Sequence, residues 1–130
     1  MTDDILKGRR ILVVEDEYLL ADDLSRMLAD AGAEVLGPVP SVREALVLID
    51  AAPPIDGAVL DVNLRGEMVF PVAHSLQDRG IPFAFATGYD AWALPEQFST
   101  SPRMDKPLKM DALIALLEPL LKRSNPAAAH

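Results

Sequence analysis

Ala58-Val59-Leu60-Asp61-Val62-Asn63 is the stretch from which the fold can be read. Three apolar residues in succession, with no polar residue alternating between them, suit a strand buried on both faces of a parallel sheet. The aspartate that ends the run stands beyond the carboxyl end of that strand. A carboxylate with only buried apolar residues behind it needs partners. Two further runs have the same character, Ile11-Leu12-Val13-Val14 and Phe83-Ala84-Phe85-Ala86. A fourth, Glu34-Val35-Leu36-Gly37-Pro38, is flanked by charge and ends in proline, and so belongs closer to a sheet edge.

Between these runs the apolar period changes to that of a helix. Leu20, Leu24, Met27, Leu28 and Ala31 recur at helical spacing and stop before Gly32. Val42, Ala45, Leu46 and Ile49 do the same behind Ser41 and Glu44, which are spaced as a capping box. A weaker helix is predicted over Phe70 to Arg79. Another, from Asp111 to Lys122, turns Leu113, Leu116, Leu117, Leu120 and Leu121 toward the core. Strands alternating with helices across short turns imply right-handed βαβ units and a doubly wound α/β fold, a five-stranded parallel sheet flanked by helices. The fifth strand is the faint one, Arg103-Met104-Asp105, just before Lys106-Pro107.

The segment between Thr87 and Lys106 is poorly suited to a regular helix. Gly88, Pro95 and Pro102 interrupt it, and Ser99-Thr100-Ser101 favours loop hydrogen bonds. The helix between the fourth and fifth strands is therefore expected to be short or irregular, and Gly88 to Ser101 to be mobile. Trp92 and Phe98 either cover the core edge or anchor a partner.

Composition bounds the function. At 130 residues, half of them hydrophobic, the chain is expected to form one domain with a core from about Arg9 to Lys122 and loose ends, Met1 to Gly8 and Ser124 to His130. The absence of cysteine excludes disulfides, thiolate metal sites and cysteine nucleophiles. A net charge of −8 argues against direct nucleic-acid binding, which draws on clustered Lys and Arg. Neither a signal sequence nor an apolar run of membrane-spanning length is present, so a soluble cytoplasmic protein is expected.

In open parallel sheets the functional crevice lies beyond the carboxyl ends of the strands. Glu15 and Asp16 follow strand one, Asp61 ends strand three, Thr87 ends strand four and Lys106 follows strand five. Carboxylates crowded together repel one another unless a cation shares the space, and Mg²⁺ prefers a few oxygen ligands completed by phosphate oxygens. Asp16 and Asp61 are the best direct ligands, with the backbone carbonyl of Asn63 beside them and Glu15 acting through water. A nucleophilic carboxylate, a cation, a hydroxyl and an ammonium are what phosphoryl transfer requires. Asp61 would attack phosphorus, Lys106 would neutralise charge, and the Thr87 hydroxyl would donate to a phosphoryl oxygen, with Gly88 leaving room. A phosphoryl group met by Thr87 would narrow the conformations of the segment from Gly88 to Ser101, and Tyr89, Trp92 and Phe98 would then present or withdraw a partner surface.

Each residue has a plainer alternative. Asp16 alone reads as a helix N-cap, Thr87 as a turn hydroxyl and Lys106 as a surface charge; only their shared crevice lifts them above that. Glu17 is expected in solvent near the first turn of its helix, and His74 on a surface helix position.

Together Val14-Glu15-Asp16-Glu17, Val59-Leu60-Asp61-Val62-Asn63, Ala86-Thr87-Gly88 and Asp105-Lys106-Pro107 resemble the receiver domains of bacterial response regulators, over roughly Arg9 to Lys122. The resemblance implies a flavodoxin-like receiver fold with strand order 2-1-3-4-5. It also implies an acidic pair for Mg²⁺, a phosphoacceptor at Asp61, a switch hydroxyl at Thr87, and Lys106 before a cis proline. Two departures stand out: Glu15 replaces the commoner Asp, and Arg103 stands where receivers usually carry Tyr or Phe.

Phe85-Ala86-Thr87-Gly88-Tyr89 is similar to a subgroup of alphaproteobacterial receivers with a Phe-Ala-Thr-Gly motif, often single-domain proteins served by HWE-type histidine kinases. The implied partners are a sensor histidine kinase of that type or a histidine phosphotransfer protein, and a downstream protein target. The chain would then serve as a relay intermediate, a phosphate sink or a phosphorylation-controlled binding module. An aspartyl-phosphate phosphatase or phosphotransferase acting on a small molecule is the competing reading. It lacks the second Asp two residues after the nucleophile, where Asn63 stands, and a cap domain. A flavin carrier lacks a phosphate-cradling loop after strand one.

Overall fold

The computed structural model describes residues 5–51, 54–88 and 94–123. In chain order these form β1 (Arg10–Val14), α1 (Tyr18–Asp30), β2 (Glu34–Val39), α2 (Val42–Ala51), β3 (Gly57–Asp61), β4 (Asn63–Leu64), β5 (Glu67–Met68), α3 (Phe70–Asp78), β6 (Phe83–Thr87), a 3₁₀ turn (Glu96–Phe98), β7 (Arg103–Asp105) and α4 (Met110–Arg123). The main sheet is parallel, five-stranded and ordered β2-β1-β3-β6-β7. With the β4–β5 hairpin set aside, this is the 2-1-3-4-5 order of a flavodoxin-like receiver fold.

The uninterrupted apolar runs are the interior strands, because each feeds a core on both faces of the sheet. Leu12 and Val14 of β1 join Ala45, Ile49, Leu60, Leu76 and Phe85 under α2 and α3. Ile11 and Val13 join Leu24, Leu28, Val59, Leu113 and Leu117 under α1 and α4. At the start of α2 the Ser41 hydroxyl accepts the Glu44 N–H at 3.1 Å and donates to the Glu44 carboxylate at 3.0 Å, so the capping residues do meet.

The edge strand β2 runs one residue past Pro38 and carries a kink with a use. Gly37 has φ +93°, and a β-carbon there would lie 2.9 Å from both the Val13 carbonyl and the Val39 nitrogen. Only glycine fits. The kink coincides with a shift of register between Leu12 and Val14, and beyond it the Val39 carbonyl accepts the Glu15 N–H at 3.0 Å. The sheet edge thereby pins the first acidic residue after β1. The Gly37-Pro38 and Lys106-Pro107 peptide bonds are both cis.

Two expectations need correction. The N-terminal segment is not loose throughout: Leu6 is buried, and its N–H donates to the Ala31 carbonyl at 2.8 Å. A two-residue apolar pair has no period to read, yet the end of α1 leaves an apolar recess that Leu6 fills. Phe98 is not a partner anchor. It is fully buried, stacks on Phe70 with centroids 5.7 Å apart, and meets the edges of Phe83 and Phe85. Among the described residues between β6 and β7, the 3₁₀ turn is the only regular structure. Tyr89 and Trp92 lie outside the described residues.

Candidate functional site

Sheet register sets up the site. Val14 pairs with Leu60, Asp61 with Ala86, and Thr87 with Asp105, so the carboxyl ends of β1, β3, β6 and β7 stand side by side. Residues immediately after those positions must share one patch. Among the described residues, the polar or charged ones that are buried are Glu15, Asp61 and Thr87, and all three are here. Burying polar groups is costly unless they are partnered, so their concentration in one place is the mark of a built site.

Glu15, Asp16 and Asp61 each turn a carboxylate oxygen inward, and these atoms lie within 4.8 Å of one another. The Lys106 ammonium stands 3.0 Å from Asp61 Oδ1 and 3.0 Å from Glu15 Oε1. The other oxygen of Glu15, Oε2, accepts the Glu17 N–H at 3.1 Å, so both of its oxygens are engaged. Asn63 lines the same cleft, of about 270 Å³, with Asp16, Asp61, Arg65, Gly88 and Lys106. A larger groove of about 560 Å³ between β7 and α4 gathers no buried polar groups and carries no comparable chemistry.

Negative charge is in excess in the cleft, with three carboxylates against the Lys106 ammonium and the exposed Arg65 guanidinium, which pairs with Asp16 alone. Burial is the strongest influence on Asp61 and the nearby Glu15 charge the next; together they outweigh Lys106 and raise the Asp61 carboxyl from its ordinary 3.8 to about 7. Burial pushes Lys106 down, but hydrogen bonds and charge from Asp61 and Glu15 more than offset it, leaving its pKa raised. Hard oxygen donors with excess negative charge are a donor set suited to a hard divalent cation.

A pH dependence follows from the Asp61 shift. A carboxyl that holds its proton more tightly folded than unfolded contributes stability that is fully present below pH 3.8 and is lost as pH rises through about 7. The metal-free protein should therefore lose stability across that window relative to Asp61→Asn. Thermal denaturation in a chelator at a series of pH values measures this, and parallel curves for the two proteins would refute it.

Thr87 stands at the end of β6, fully buried, but its hydroxyl is turned to β7, donating to Asp105 Oδ1 at 2.8 Å and lying 3.2 Å from the Met104 carbonyl. Asp16 is not a helix cap: Glu17 takes the N-cap position of α1, without a side-chain cap, and faces solvent. Asp16 instead pairs with Arg65 at 3.1 Å. His74 is exposed on α3, beside Gln97.

Sequence reasoning missed Arg65. It occupies the tip of the β4–β5 hairpin, where Arg65 and Gly66 have φ of 55° and 92° as in a two-residue type I′ turn, and Asn63 Oδ1 accepts the Gly66 N–H at 2.6 Å. The Arg-Gly pair was the available signal, but strands of two residues carry no period. Asp105 stands in the sequence as the end of a strand and the start of the Asp105-Lys106-Pro107 motif, with no site role assigned to it.

No protein-family model matches the chain. SdrG from Sphingomonas melonis Fr1 is 41% identical, with a TM-score of 0.78 over 87% of this chain and 96% of that one. A second SdrG structure, the BeF3-activated conformation from Pseudomonas melonis Fr1, is 38% identical, with a TM-score of 0.72 over 92% and 99%. A response regulator receiver protein from Sinorhizobium medicae WSM419 is 28% identical, with a TM-score of 0.75 over 92% and 98%. Among curated relatives, the transcriptional regulatory protein PdtaR of Mycobacterium tuberculosis is 29% identical over 124 residues, 92% of this chain but only 60% of its own length. The five-stranded sheet in this order, the residues at its strand ends and the likeness to SdrG along nearly its whole length agree: the chain belongs to the receiver family of response regulators.

Proposed function

We propose that Asp61 accepts a phosphoryl group from the phosphohistidine of a sensor histidine kinase or a histidine phosphotransfer protein, with Mg²⁺ bound at Asp16, Asp61 and the Asn63 carbonyl and Glu15 acting through water. The observation that carries this reading is the convergence of the buried Glu15, Asp61 and Thr87 around Lys106. The Phe85-Ala86-Thr87-Gly88-Tyr89 motif favours a kinase of the HWE type. Relay intermediate, phosphate sink and phosphorylation-controlled docking are the outputs open to such a receiver.

In the transfer, an Asp61 carboxylate oxygen attacks phosphorus, the bond from phosphorus to the donor imidazole nitrogen breaks, and its electron pair leaves with the imidazole. Lys106, already on Asp61 Oδ1, is placed to meet the charge on the equatorial phosphoryl oxygens. Gly88 offers no side chain to obstruct the incoming group. A divalent cation held by Asp16, Asp61 and the Asn63 carbonyl would supply positive charge beyond that of Lys106 and Arg65, toward the carboxylates and the phosphoryl oxygens. SdrG's BeF3-activated conformation supports the reading, since beryllofluoride mimics a phosphoryl group.

The direct test is intact mass after incubation with Mg²⁺ and acetyl phosphate, expected to show the addition of one phosphoryl group. A companion titration of Mg²⁺ by calorimetry locates the metal. Asp16→Asn should weaken binding about tenfold or more and Glu17→Gln should leave it unchanged. Arg65→Gln should tighten it about two- to fivefold, because an exposed ion pair is worth up to about 1 kcal/mol and the variant no longer competes for Asp16. Equal losses from Asp16→Asn and Glu17→Gln would misplace the metal.

A further inference from the structure

We propose that Asp105 is a positioning residue for the phosphoryl site: it holds the Thr87 hydroxyl turned away from Asp61 and surrenders it when a phosphoryl group arrives. The inference rests on the function proposed above and adds a residue to it.

Proton count is the first argument. A threonine hydroxyl has a single hydrogen to donate. In this structure it is directed to Asp105 Oδ1 at 2.8 Å, with the Met104 carbonyl at 3.2 Å as a second acceptor. Carboxylate, carbonyl and phosphoryl oxygens are all acceptors, so none of them can substitute as donor. The bond to Asp105 and a bond to a phosphoryl oxygen therefore exclude each other. Binding at Asp61 must compete with Asp105 for the same hydrogen.

The second argument is that the bond is fixed by the backbone. Thr87 and Asp105 are register partners in the parallel β6–β7 pair, and the Lys106 N–H donates to the Thr87 carbonyl at 2.8 Å. Strand pairing holds the two side chains next to each other, and the Thr87 side chain can leave only by changing rotamer. The environments of the partners also differ: Thr87 is fully buried, whereas Asp105 is exposed. A buried hydroxyl needs a partner, so it stays on Asp105 until another acceptor comes within reach. The exposed carboxylate can take water when the hydroxyl leaves, so release leaves no buried charge unpaired. Surrender is thus possible at Asp105 in a way it would not be at a buried acceptor.

Titrating beryllofluoride into the Mg²⁺-loaded protein, followed by amide NMR shifts, tests the assignment. Asp105→Ala should bind the mimic about three- to tenfold more tightly, since hydrogen bonds to charged groups are among the stronger ones and the Met104 carbonyl remains as a weaker competitor. Asp105→Asn, which keeps the shape and a neutral acceptor oxygen, should fall between the two and guards against a folding defect. Removing a negative charge near an anion site would itself tighten binding, so the decisive comparison is made in a Thr87→Val background. There the gain from Asp105→Ala should shrink to that electrostatic part alone, because no hydroxyl remains to compete for. A gain of the same size without the hydroxyl, or unchanged or weaker binding in the single variant, overturns the proposal. Wild-type protein that fails to bind beryllofluoride with Mg²⁺ would overturn the functional reading along with it, whereas equal binding by wild type and Asp105→Ala removes only the role given to Asp105.

Discussion

Asp61→Asn is expected to remain folded and to take up no phosphoryl group from acetyl phosphate or from a phosphorylated kinase. The amide keeps the size of the carboxyl group and an oxygen that can still accept from Lys106, 3.0 Å away, but it has lost the anionic nucleophile. Other carboxylates nearby cannot take over. Glu15 has both oxygens engaged, by Lys106 and by the Glu17 N–H, and Asp16 is held by Arg65 at the edge of the cleft. The variant also removes one of the two carboxylates that are buried among the described residues, so without metal it should melt at a higher temperature than wild type above neutral pH. Intact mass and acid-labile phosphate give the first result and thermal denaturation the second. Stoichiometric phosphate on the variant would mean that the acceptor is another residue.

Lys106→Ala is expected to slow phosphoryl uptake by about a hundredfold or more at saturating Mg²⁺, the scale of removing a preorganised donor from a site of developing charge. The ammonium is half-buried and contacts Asp61 and Glu15 at equal distance, whereas the other cation lining the cleft, Arg65, is exposed and paired with Asp16. The same change leaves Glu15 and Asp61 facing each other without a counter-ion. Mg²⁺ should then bind the unphosphorylated variant at least as tightly as it binds wild type, while transfer fails. Time-resolved intact mass measures the rate and calorimetry the metal affinity. A rate within a factor of about three of wild type would reduce Lys106 to an ordinary ion-pair partner, whose exposed forms are worth little.

Much of the fold was legible because it depends on local pattern. A run such as Ala58-Val59-Leu60 is apolar at every position only if both faces are buried, which assigns it to the interior of a parallel sheet. The change of period at Leu20 and at Val42, with the Ser41 and Glu44 cap, marks helices by the same local logic. Since functional residues in such sheets stand beyond the strand ends, locating the strands also located Glu15, Asp16, Asp61, Thr87 and Lys106 in one crevice.

Tertiary structure decided which partner each of those residues takes, and which short segments complete the core. Leu6 and Phe98 carry no periodic signal, and each is buried because a recess left by distant elements accepts it. Arg65 reaches Asp16 from a hairpin of two-residue strands too short to announce itself. Asp105 meets Thr87 across 18 residues of sequence because β6 and β7 pair in that register. Local pattern marked the longer strands and helices, their order and the chemical groups at the strand ends, since composition and period act within a few residues. Hydrogen-bond partners and charge balance depend on strand register and on packing between distant segments, and these exist only once the chain has folded.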